Sequence, residues 1–128
     1  MPALEPVAAV RVVASPAALD GAHWSGDDDV DVLRTAPDEA LGLGATGVEV
    51  DDPDAIVERE SGFVVALLDD PDLRTIEAHT DWRLPTAAGE LSQGKVAGVP
   101  AKVVGGRPAL LVTNAAYADE LERRLGWR

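Results

Sequence analysis

Residues 94–125, GKVAGVPAKVVGGRPALLVTNAAYADELERRL, carry the clearest structural pattern in the chain and decide its fold. They read as strand, turn, strand, cap and helix. Val96, Val99, Val103 and Val104 give the first strand β-branched side chains that suit a pleated, partly buried surface. Pro100 has no N–H to give a ladder, so it sets that strand at a sheet edge or at a bulge, with Gly98 free to bend. Gly105-Gly106 supplies a tight turn, and residues 109–112 form the returning strand. Thr113 or Asn114 then caps a helix by accepting from an unpaired N–H of its first turn. Tyr117, Leu121 and Leu125 recur at four-residue spacing with Ala118 beside them, which makes one helix face apolar. Asp119 and Glu120 come first and Arg123 and Arg124 last, an order that complements the helix dipole, and Gly126 ends the helix.

Working outward, FVVALL at 63–68 is continuously apolar and predicts a strand buried on both faces. Asp70 caps the helix that follows, with Pro71 in its first turn and Leu73 and Ile76 turned inward. It fades near His79 and Thr80. The two stretches echo each other: Leu67-Leu68, cap, helix and Trp82-Arg83 parallels Leu110-Leu111, cap, helix and Trp127-Arg128. Two such strand-to-helix units side by side give an α+β fold, a mixed and mainly antiparallel sheet with two helices on one face, of the ferredoxin-like kind. Upstream, residues 7–13 form a strand bounded by Pro6 and Ser15-Pro16, and 17–31 read as a loop. Residues 30–34 and 40–43 are strands joined across Pro37 and Asp38. Residues 51–54 are a loop. The whole, 1–128, is one domain in size, with a strand and loop over 1–29 and the α+β core over 30–125.

Composition closes off several chemistries. There is no cysteine, hence no disulfide, thiolate nucleophile or cysteine-ligated metal. Residues 1–20 contain neither an apolar span nor a basic region followed by an apolar core, so the expectation is a cytoplasmic protein without a signal peptide. Twenty-three Asp plus Glu against 11 Lys plus Arg give a formal net charge of -12. Such a field repels phosphate backbones and anionic lipid, so neither nucleic acid nor membrane is an expected partner. Abundant Asp with only two lysines, Lys95 and Lys102, resembles the composition of salt-loving proteins, whose carboxylates keep them soluble in brine.

The candidate sites are sparse. Gly42-Leu43-Gly44-Ala45-Thr46-Gly47 fits G-x-G-x-x-G, but a dinucleotide site needs a strand before it and a helix after it. Val48-Glu49-Val50 is extended and Pro53 follows, so a glycine-rich loop is the plainer reading. Asp27-Asp28-Asp29, Asp51-Asp52 and Asp69-Asp70 have the oxygen ligands that hard cations take, without the alternating spacing of a calcium loop. They read as solvated surface, and no metal is expected. His79-Thr80-Asp81 lacks a nucleophile, and residues two apart on a helix face different ways. No catalytic set emerges. Trp82 and Trp127 each end a helix, where an aromatic ring either seals the core edge or anchors a partner. With Tyr117 they are the candidate interface residues.

The order of elements, with three short motifs, resembles the small gamma subunit of heterotetrameric sarcosine oxidase, a relative of the aminomethyltransferase (T-protein) folate-binding fold. Pro37-Asp38-Glu39-Ala40-Leu41 is similar to that family's Gly-Pro-Asp-Glu-Trp-Leu hairpin, and Ala97-Gly98-Val99-Pro100 to its Ala-Gly-Val-Pro strand. Leu111-Val112 followed by Tyr117-Ala118 and Leu121 is similar to its last strand and helix. Thr113-Asn114-Ala115 departs from the family's Pro-Arg-Ser, and Ala40 from its tryptophan. The resemblance covers about 30–125. It implies a chain with no catalytic site and no cofactor of its own, assembling with larger oxidase-type subunits that carry flavin (FAD or FMN) or folate. Two other roles fit the residues: a free-standing small-ligand binder of folate type, and a homo-oligomer in which an edge strand near Pro100 pairs with a second copy.

Overall fold

The computed structural model describes residues 2–127, leaving aside the side chains of Asp27 and Asp28. The run at 27–29 and the Arg128 end of the sequence echo therefore lie largely outside the described residues. Two compact units divide the chain: Val7–Ser61, and Gly62–Arg128 together with Met1–Pro6.

In the Val7–Ser61 unit, β1 (Glu5–Val13) pairs antiparallel with β3 (Glu39–Glu49), Val12 lying opposite Ala40, and β3 pairs antiparallel with β2 (His23–Ala36). The Pro37-Asp38 turn joins β2 to β3 as the sequence predicts. A short helix, α1 (Pro16–Asp20), begins at Ser15, whose hydroxyl accepts from Ala18 N at 3.3 Å. Its Ala18 and Leu19 pack with Val10, Val12, Ala40 and Ala45. This corrects the reading of 17–31 as a loop. A serine cap with Pro16 in the first turn is the ordinary helix-start signal, but five residues are too few to show a period. Strand β2 begins seven residues before Val30, at His23, because its polar start is held by pairing with β3 and by bulges rather than by an apolar face. The glycine string is likewise no loop. It lies inside β3, where a Cβ on Gly42 would stand 2.4 Å from the Trp24 ring, and Gly44 takes φ +82 beside a bulge. The string provides a flat seat for an indole, not a phosphate cradle.

In the second unit the strand order is β4-β7-β6-β5. Strand β4 (Ile56–Leu68) contributes residues 62–68 here and pairs antiparallel with β7 (Ala109–Asn114), Leu67 opposite Leu110. β7 pairs with β6 (Val99–Val104), and β6 with β5 (Leu91–Val96). Helices α2 (Asp70–Glu77) and α3 (Ala118–Leu125) follow β4 and β7. Ile76, Leu121 and Leu125 pack on Ala66, Leu68, Val96, Val103, Ala109 and Leu111, so both helices cover one face of these strands. The α+β, mainly antiparallel layout is the one the sequence predicts, and the echoed halves stand side by side on adjacent antiparallel strands.

Three details differ. Residues 96–104 are not one strand but a hairpin, turning at Ala97 (φ 50) and Gly98 (φ 79). Two consecutive positive φ values make the two-residue turn that matches strand twist, and an alanine in the first of them hides it from the sequence. The cap of α2 is Asp69, not Asp70: its carboxylate accepts from Asp72 N at 2.9 Å while Asp69 N donates to the Asp72 carboxylate at 3.1 Å. Residues 63–68 are buried on one face only, since Val64, Ala66 and Leu68 are enclosed whereas Leu67 is 64% exposed.

Candidate functional site

Pro100 does not lie on an edge strand. β5 flanks β6 on one side and β7 on the other, with Lys95 opposite Pro100 and Lys102 opposite Val112. In an antiparallel ladder, bonded and non-bonded pairs alternate. Val96 and Val99 close the two-residue turn as a bonded pair, so the Lys95–Pro100 pair is non-bonded and the Pro100 nitrogen points toward β7. It has no hydrogen to offer there. The β6–β7 ladder accordingly stops at Lys102, and the Pro100 carbonyl accepts instead from the Thr113 hydroxyl at 2.8 Å. Asn114, released from pairing with β6, turns its Oδ1 to Ala116 N at 2.9 Å and caps the 3₁₀ turn Ala115–Tyr117 that leads into α3.

Where the strands part, a cleft of about 280 Å³ opens, lined by Phe63, Gln93, Pro100, Lys102, Asn114 and Tyr117 among others. Tyr117 is 41% exposed on its rim. No Asp or Glu lines it. The acids of this chain lie elsewhere: β5, β6, β7 and residues 62–68 contain none.

The other candidate residues serve the fold. Trp82 is half-buried against the helix-side core, and its indole N–H donates to the Lys95 carbonyl at 2.8 Å. That carbonyl faces away from β6, so the indole covers part of the outer edge of β5. Gly94 is its seat, since a Cβ there would stand 2.4 Å from the indole nitrogen. Trp127 is 8% exposed and belongs to the core around Leu121 and Leu125. The structure therefore brings Tyr117 to the cleft and leaves Trp82 and Trp127 on the helix side. His79 Nδ1 donates to Thr75 O at 2.8 Å and the His79 carbonyl accepts from Ala97 N at 2.8 Å, which ties it to the end of α2 and the β5–β6 turn.

The perturbed titrating groups also do structural work. The Asp72 backbone N–H, then its side chain, holds the Asp69 carboxyl below the usual aspartate value. The backbone N–H groups of Ser15 and Asp54 do the same for Asp52. The Arg11 guanidinium is raised chiefly by its hydrogen bond with Glu39, at 2.7 Å. Among the described residues no group of three or more His, Asp or Glu could hold a metal, and no helix is long and apolar enough to cross a membrane.

Sequence reasoning missed Phe63, Gln93, Lys102 and Asn114. The usable signal was there, in the two lysines of an acidic chain bracketing Pro100 at 95 and 102.

The sequence matches no family model and no curated protein. The structure is similar to a chain of the heterotetrameric sarcosine oxidase from Corynebacterium sp. U-96, solved in complex with pyrrole 2-carboxylate, at a TM-score of 0.65. The two share a fold. Sequence identity is 14%, over 97% of this chain and 81% of that one. The matched chain is thus only about a fifth longer than this one, in keeping with a small subunit. The resemblance read from three short motifs is met at the level of fold.

Proposed function

We propose that this chain is a non-catalytic subunit that assembles with larger flavin- or folate-dependent chains. The observation that carries the reading is the fold shared, over nearly the whole chain, with a chain of a heterotetrameric oxidase. Leu67, 64% exposed on β4, is apolar surface that such a partner would cover. In this reading flavin and folate chemistry belongs to the partner chains, and the acidic surface of this chain serves solubility, including solubility in strong salt. A free-standing binder is less well supported: the cleft beside Tyr117, about 280 Å³, falls below the roughly 300–1,000 Å³ range of sites that enclose a small ligand, and although a hollow of about 530 Å³ lined by Asp70, Leu73, Pro85 and Arg107 falls within it, the fold shared with a chain of a heterotetrameric oxidase favours assembly. Homo-oligomerisation through Pro100 is also less well supported, as Pro100 lies between two paired strands.

The test is spectroscopic. The affinity-tagged chain isolated from its own cells should carry larger chains with it, and the preparation should absorb near 450 nm as bound flavin does, or release a folate on denaturation. The same chain produced alone should do neither. Isolation of the tagged chain free of larger chains would refute the reading.

A further inference from the structure

Lys95 and Lys102 are the only lysines in the chain, and the fold sets them on one face. Lys102 lies opposite Gln93 and Lys95 opposite Pro100, so the two are diagonal cross-strand neighbours, about 7–8 Å apart. Their shared face is the one turned away from α2 and α3, because the alternate residues Val96, Val99, Ala101 and Val103 pack under the helices. The ion pairs seen in the structure are made by Arg11, Arg34 and Arg124. Neither lysine meets a carboxylate. Beside them the cleft offers the exposed Tyr117, the half-buried Phe63 and the exposed ring of Pro100, again with no acid.

We propose that this face is where the chain docks on its larger partner, and that the partner presents carboxylates there, set among apolar side chains. The inference rests on the subunit reading and specifies its surface. Charge selects the place. A net charge of -12 disfavours the approach of a carboxylate-bearing surface in general, whereas two neighbouring ammonium groups on strands that contain no acid attract it and fix its register. Shape selects the mode. The indole of Trp82 already occupies the Lys95 carbonyl on the outer edge of β5, which disfavours strand addition. The cleft is sized for a few side chains of a partner, flanked by an aromatic ring of the kind enriched at interface centres. Self-association face to face is disfavoured as well, because it would bring four ammonium groups together without a counter-charge.

Zero-length carbodiimide coupling joins an ammonium to a carboxylate only in direct contact. Applied to the assembly purified from the chain's own cells and read by peptide mass spectrometry, it should join Lys95 or Lys102 to an Asp or Glu of the larger chain. The double variant Lys95→Glu/Lys102→Glu should retain at least ten-fold less partner at unchanged melting temperature. Lys95→Arg/Lys102→Arg and the reversal Arg74→Glu on α2, on the opposite side of the sheet, should retain it in full. Partner retained by the double-glutamate variant, or coupling of the two lysines only to a second copy, would overturn the inference while leaving the subunit reading intact. If no larger chain accompanies the wild type, both fail.

Discussion

At the scale of single residues, two side chains show how local chemistry became structure. Gly94 has no side chain because the Trp82 indole lies where one would be. Gly94→Ala should push the indole off the Lys95 carbonyl and lower stability by about 1–3 kcal/mol. Urea unfolding measures the loss, and a red shift of tryptophan emission reports the displaced ring. Unchanged stability would mean that the seat is not occupied. Asp69 and Asp52 make a different case. Each is held below the usual aspartate value of 3.8 by backbone N–H donors that favour the ionised form in the folded chain. Their stabilisation is therefore complete above the unfolded value and lost as pH falls through the lower, folded one. Asp52→Asn/Asp69→Asn keeps an acceptor at each site and removes the titration. Its melting temperature should fall less steeply than the wild type's as pH drops below about 4. Equal slopes would contradict the assignment.

At the scale of elements, legibility followed periodicity. Leu121 and Leu125 announce α3 through their spacing, and both are buried. Leu73 and Ile76 announce α2 in the same way, while its cap is misplaced by one residue because Asp69 and Asp70 are chemically alike and only the hydrogen bonds tell them apart. The β5–β6 hairpin is illegible for a physical reason. Its first turn residue is alanine, held at φ 50, while Arg124 of α3 donates to its carbonyl at 2.6 Å. A left-handed alanine is strained relative to glycine by about 1–2 kcal/mol, so Ala97→Gly should raise stability by about 1 kcal/mol after the entropy of the unfolded chain is counted. Thermal unfolding of the variant measures this, and destabilisation would show that the turn does not need positive φ. Strand β2 and the glycine string of β3 escape the sequence for the opposite reason. Their pairing partners, not their own side chains, fix them. The cleft was half legible: Pro100 marks a fault in the ladder, but only the register shows that the fault faces β7 and opens beside Tyr117.

At the scale of the molecule, charge dominates. A net of -12 on 128 residues stores self-repulsion that counter-ions screen, over about 10 Å at 0.1 M salt and about 3 Å at 1 M. Stability should thus climb steeply into molar potassium chloride, followed by chemical unfolding at a series of salt concentrations. A maximum at low salt would sink the brine-adapted reading of the composition and leave the fold untouched.

The subunit reading is the centre of the account, and native mass tests it most directly. The tagged chain, isolated gently from its own cells at their own salt, should elute and scatter light as an assembly several times heavier than 13.4 kDa, with larger, different chains in fixed ratio. A lone 13.4 kDa monomer, or an assembly of identical copies, would contradict it.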